Sequence, residues 1–414
     1  MKVLYLHQYF TTPDLSGGTR SYEMARRLVA KGHEVTMITS SAFLDESWAP
    51  TPGWHVRDCE GIRVEVLHLP YSNRDSFARR IRTFLSFMTA CSRRAASREA
   101  DVVFATSTPL TIAIPGVVAK WRRRVPMVFE VRDLWPELPI AVGALTNPLL
   151  KAAARGLERF AYRNSERVVA LSPGMADGVA ATGYPRDRIA MIPNSSDRDL
   201  FVATEQEAAE FRSAHDWLGD RPLVVYTGTL GIINGVSYMA DMARRALDID
   251  PEVRFLVVGN GMELEKVKGR AAELGVLDRN FFMLPPQPKR TLPALLRAAD
   301  MATSLFLPLE PMWNNSANKF FDALAAGCPA AINYGGWQAD VLRETGAGVL
   351  LDPHDADKGA VALLEALRDE EGLRTMAAAA AELARTRYDR DLLAADLERT
   401  LLAAVDGRGG GAAR

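Results

Sequence analysis

Short apolar runs alternate with segments of helical period along this chain, and the whole alternation occurs twice. Residues 2–6 form an apolar run ending in polar residues, followed by a loop at 11–19, a helix from about 21 to 30 stopped by Gly32, and a second run at 34–39. This predicts a βαβ opening. Further runs at 63–67, 102–105, 127–131 and 168–171 read as strands with helices between them, hence a parallel sheet covered on both faces. After a polar, charge-rich interval at about 197–221 the pattern restarts, with strands at 223–226, 254–258, 281–284, 301–305, 330–333 and 348–351. The expected architecture is α/β, with two doubly wound Rossmann-like domains, 1–198 and 199–385, facing a central cleft and binding ligands beyond the carboxyl ends of their strands. A helical stretch at 386–405 and a loose glycine-rich tail at 406–414 complete the chain.

Composition changes this picture little. With 414 residues and 48% hydrophobic content, the chain is too long for one typical core. A formal net charge of -1 argues against a nucleic-acid partner held by bulk charge. Cys59, Cys91 and Cys328 are odd in number, far apart and without a CxxC pair, which suggests neither a disulfide framework nor a zinc site and fits a reducing cytoplasm. The first apolar run is broken early by His7 and Gln8, and no later run approaches the ~18 residues of a membrane span, so neither a signal peptide nor a span is expected.

The most informative segment runs from Asn314 to Gly327, where polar, basic and acidic groups open an apolar helix that Gly327 and Pro329 stop. Unpaired amides at a helix start carry roughly half a positive charge and attract phosphates. Lys319 adds a full charge beside Asn318 and Phe320, and Asp322 is placed in the first turn. Three glycine loops sit at strand ends: Gly17 and Gly18, Gly228 with Thr229, and Gly259 with Asn260. None fits GxGxxG or GxxxxGK[ST], which argues against a nicotinamide-dependent dehydrogenase and a P-loop kinase.

These residues carry a resemblance. Gly17-Gly18, Ile192-Pro193-Asn194 with Asp197 and Phe201, Tyr226-Thr227-Gly228, Val258-Gly259-Asn260-Gly261 and Asn318-Lys319-Phe320-Phe321-Asp322 resemble the retaining GT-B glycosyltransferases, over nearly the whole chain. Val131 to Glu137, with the Lys319 segment, is similar to the bacterial branch that transfers N-acetylated amino sugars in surface-polysaccharide assembly, capsule and lipopolysaccharide included. The resemblance implies a UDP-linked donor sugar, no cofactor and a final helix that crosses back to the first domain. The family's phosphate-binding Arg and Lys fall here on Thr229 and Asn234, so charge must come from elsewhere: from Lys319, or from Arg20 in the other domain. Its paired acids fall on Asn314 and Asp322, which implies that Asp322 contacts the ribose and leaves Asn314 without the family's acid. No Asp-x-Asp stands at a plausible strand end, so no bound metal is expected.

Asp133 follows a strand, where related enzymes face the reacting sugar; it either orients sugar or acceptor or pairs structurally with Arg132. His7, at the end of the first run, is similarly placed: it either faces the sugar or is a satisfied structural histidine. Phe77, Ile81, Leu85 and Met88 lie on one helical stripe among arginines that include Arg79, Arg80 and Arg82, and Lys120 to Arg124, with Arg122 and Arg123, forms a second basic cluster. Either these dock the first domain on an anionic membrane surface carrying a glycan or polyprenyl-linked acceptor, peripheral on the inner face, or they form a core-packed helix with a solvated Arg face. A nucleotide-sugar epimerase of the same shape and a non-catalytic nucleotide-sugar-binding protein remain the alternatives.

Overall fold

The computed structural model describes residues 1–69, 77–133, 135–137, 140, 143 and 145–409. It divides into two units: 1–12, 18–193 and 391–414 form one, and 13–17 with 194–390 form the other.

The first unit contains strands β1 (Lys2–Leu6), β2 (Glu34–Ser40), β3 (Trp54–Cys59), β4 (Ile62–Leu67), β5 (Val102–Thr106), β6 (Met127–Val131), β7 (Arg167–Ala170) and β8 (Ile189–Met191). They form one sheet in the order β3-β4-β2-β1-β5-β6-β7-β8, parallel throughout except for β3 on β4. β1, β5 and β6 lie between two apolar layers, which is why their sequences are nearly unbroken apolar runs. Their carboxyl ends carry His7, Ser107 and Arg132. The strand order turns between β1 and β5, where doubly wound sheets bind ligands. Helix Arg390–Gly409 belongs here: Leu393, Leu397 and Leu401 enter the same apolar layer as Tyr5 and Leu28, and Glu398 pairs with Lys31 and His33.

The second unit contains β9 (Leu223–Thr227), β10 (Arg254–Val258), β11 (Phe281–Leu284), β12 (Met301–Ser304), β13 (Ala330–Ile332) and β14 (Gly348–Leu350). All are parallel, in the order β11-β10-β9-β12-β13-β14, the Rossmann arrangement with its turning point between β9 and β12.

Two strands escaped the sequence reading. β3 is an edge strand whose residues alternate between half-buried and exposed, without an apolar run, and β8 is only three residues long.

Candidate active site

In the second unit, helix Asn318–Ala325 begins after a short 3-10 stretch, Glu310–Asn314. Asn314 therefore belongs to the preceding turn and not to the helix opening. Asp322 is the fifth helical residue, so its expected place in the first turn is corrected. The apolar face is fully buried through Phe320, Phe321 and Leu324, so Phe320 offers a ligand nothing but its backbone, and its amide already bonds to Ala317 O at 3.1 Å. Lys319 leaves this helix half-buried and lies against the loop after β9. Its Nζ sits 5.1 Å from the centre of the Tyr226 ring, and its Cε lies 3.0 Å from where a Cβ would stand on Gly228. Gly228 has φ 129°, a conformation suited to glycine, so this loop is shaped to admit the lysine. Burial pushes the Lys319 ammonium down to about 8, against the pull of Asp322.

The remaining members of this loop cluster have structural duties. Asn234 is buried, and its Oδ1 accepts from the Gly231 amide at 3.3 Å, closing its own turn. A Cβ on Gly259 would lie 1.9 Å from Gly228 O, so Gly259 is there for the close approach of two strand-end loops. Asn260 is exposed; its carbonyl accepts from the Leu230 amide at 2.9 Å and its Oδ1 from the Gly261 amide at 2.8 Å. Thr229 is exposed and provides its carbonyl to Tyr226 Oη at 2.7 Å.

Lys289, which the sequence reading passed over, is buried within hydrogen-bond reach of two carboxylates: Asp322 Oδ1 at 3.1 Å and Asp197 Oδ2 at 2.9 Å. Arg390 completes the group, with Nε 2.6 Å from Asp197 Oδ1. Burial works against the Asp197 charge, yet Arg390 and Lys289 hold its carboxyl well below the usual range. Burial raises the Asp322 carboxyl, and Lys289 opposes the rise.

In the first unit, His7 is buried, with Nδ1 2.6 Å from Ser21 Oγ and Nε2 3.1 Å from Arg132 Nη1. Guanidinium only donates, so Nε2 accepts and Nδ1 carries the proton. Burial, then Arg132, drives the imidazole well below its ordinary value, so it is neutral. Asp133 is half-buried and accepts from Thr108 Oγ1 at 2.8 Å. Among the described residues, Arg132 and Asp133 thus bond to His7 and Thr108 and not to each other, which removes the structural ion pair. Leu134 lies outside the described residues. Gln8 is fully buried, and neither amide atom has a partner among them.

Arg20 corrects an expectation. It opens helix Arg20–Ala30, fully buried, with Nη2 2.8 Å and Nε 3.0 Å from Glu130 Oε1, and donates to the carbonyls of Ile192 and Pro193. A guanidinium so engaged is unavailable to a phosphate. Gly17 is exposed with φ 131°, and Gly18 is half-buried.

The basic segment is also differently phased. In helix Phe77–Ala96 the core face is Phe87, Cys91 and Ala95, while Ile81 and Leu85 are 37% and 49% exposed. With Arg82, Ser86, Thr89 and Arg93 they line a surface depression. Arg79 is exposed; the side chains of Phe77 and Arg80 lie outside the described residues. Trp121, Arg122 and Arg124 are exposed, whereas Arg123 Nε donates to Ala96 O at 2.9 Å.

Comparison with known proteins follows the two units. Residues 17–195 match the model of the glycosyl transferase 4-like domain, and 207–383 match that of glycosyl transferases group 1. The chain is 28% identical over 396 residues to a D-inositol 3-phosphate glycosyltransferase of Xylanimonas cellulosilytica, covering 92% of this chain and 90% of that one. It is 24% identical over 309 residues to WcaI of Escherichia coli, a putative colanic acid biosynthesis glycosyl transferase, covering 70% and 73%. In fold it is similar to Anabaena HepE, solved in complex with UDP-glucose, with a TM-score of 0.73 at 17% identity, covering 97% of this chain and 100% of HepE.

Proposed function

The chain belongs to the glycosyl transferases group 1 family, of GT-B type, and on that premise we propose that it is a retaining, metal-independent enzyme acting in surface-polysaccharide assembly. In this reading it moves a hexose or N-acetylhexosamine from a UDP-linked donor to a hydroxyl of a glycan or lipid-linked glycan. The observation that carries the reading is Lys319 lodged against Gly228 at the start of helix Asn318–Ala325, beyond the carboxyl end of β9. That arrangement sets a cation and helix-start amides where a diphosphate leaving group needs them. Thr229 and Asn234 provide no charge, so Lys319 is the anchor, and Asp322 takes the ribose hydroxyls.

Transfer breaks the bond between the anomeric carbon and the diphosphate oxygen and forms one from the acceptor oxygen on the same face. The acceptor proton passes to the departing phosphate. Lys319 stabilises the charge developing there, which is the main demand of an oxocarbenium-like transition state. Asp133 and the neutral His7, steadied by Thr108, Ser21 and Arg132, orient the sugar or its acceptor.

A lipid-linked acceptor fits the exposed Ile81 and Leu85 among Arg82 and Arg93, the composition of an amphipathic helix on an anionic bilayer. Among the described residues no helix is long and apolar enough to cross a membrane.

Incubating the protein with UDP-sugars, with and without a polyprenyl-linked glycan, tests the proposal. Acceptor-dependent UDP release with an unchanged anomeric configuration is expected. Interconversion of the donor alone, or binding without turnover, overturns it in favour of an epimerase or a binding protein.

A further inference from the structure

Lys289, Asp197 and Arg390 lie outside every role assigned above, and their geometry ties the helix carrying Lys319 to the opening of the second unit. Lys289 Nζ is 3.1 Å from Asp322 Oδ1 and 2.9 Å from Asp197 Oδ2, and the Phe201 ring centre is 5.6 Å away. Asp197 is held from its other side by Arg390 Nε at 2.6 Å, while Arg390 Nη2 donates to Ser195 O at 3.2 Å. The Lys289 amide donates to Leu15 O at 3.3 Å, which fixes the segment that carries it. The ammonium is therefore held from two sides, and it takes up one carboxylate oxygen of Asp322. A buried cation between two carboxylates has a strong preference for one arrangement, because moving either acid leaves charge unpaired.

We propose that Lys289 is a positioning residue for the donor: it clamps Asp322 by Oδ1 and so aims the remaining oxygen at the ribose hydroxyls. This rests on the reading that Asp322 contacts the ribose. The charges facing Asp322 are Lys289, Lys319, Asp197 and Arg390. Only Lys289 is within bonding distance among the described residues. Without it, burial favours the protonated Asp322 carboxyl, which is a poorer acceptor.

The test compares UDP with 2′,3′-dideoxy-UDP, which lacks the hydroxyls in question, by titration calorimetry. The wild type is expected to prefer UDP by about tenfold or more, the strength of a hydrogen bond to a charged group. Asp322→Asn abolishes that preference. Lys289→Gln, which keeps a hydrogen-bond donor without the charge, reduces it to about twofold, and Lys289→Arg restores it. If Lys289→Gln retains the full preference, the proposal is overturned while the ribose reading stands. If the wild type shows no preference, the ribose reading itself fails. Should Lys289→Gln not fold, the Lys289 ammonium resonance of the wild-type protein reports instead. It is expected to shift with UDP and not with dideoxy-UDP, and equal shifts overturn the proposal.

Discussion

Lys319 holds its ammonium 5.1 Å from the centre of the fully buried Tyr226 ring, with Gly228 leaving room for the approach. The ring satisfies the cation weakly, so the charge is kept for an anion yet partly deprived of water. Because burial lowers this group to about 8, the ammonium is present below that pH and lost as pH rises through it. Affinity for a UDP-sugar should fall as pH rises from about 7 to about 9, approaching tenfold per unit at the upper end. Calorimetry against pH checks this, with Lys319→Met, weak throughout, giving a flat profile.

Gly259→Ala places a methyl 1.9 Å from Gly228 O, a backbone atom that cannot swing aside. The expected loss is about 1–3 kcal/mol or more of stability, measured as a lower urea midpoint. UDP affinity should fall with it, because the displaced loop is the one that accommodates Lys319.

Asp133 accepts from Thr108 and leaves Arg132 to His7. Asp133→Asn should lower kcat by about 10²–10³-fold while leaving the donor KM and the melting temperature nearly unchanged. Steady-state kinetics beside thermal unfolding distinguish this from a structural role, which would lower stability first.

Ile81 and Leu85 are exposed beside Arg82 and Arg93. Ile81→Glu with Leu85→Glu should abolish flotation with vesicles rich in phosphatidylglycerol while leaving UDP binding intact. Wild-type flotation should weaken with salt, because part of the attraction is screened over about 8–10 Å.

Much of the fold was legible because parallel strands buried on both faces are apolar runs, which β1, β6, β9 and β10 show plainly. The place of Lys319 at a helix start was also legible, because a lysine opening an apolar helix is chemically unusual. Lys289 was not, because it looks ordinary between Pro288 and Arg290, and its meaning comes from Asp197, 92 residues earlier. Arg20 misled in the opposite direction: its place beside the first glycine loop suggested phosphate, whereas Glu130, 110 residues later, takes its charge. A glutamate inside the apolar strand β6 was the available signal of that partnership. Helical period marked an apolar stripe at Ile81 and Leu85 but could not say which face meets the sheet, and packing chose Phe87, Cys91 and Ala95.

The central claim is that Lys319 anchors the diphosphate of a nucleotide donor in the second unit. Titrating wild type and Lys319→Ala with UDP and with uridine tests it most directly. The account predicts a loss of about 10–100-fold in UDP affinity, with the weak uridine affinity unchanged, since only the phosphates meet the ammonium. Equal UDP affinity in the two proteins would contradict it.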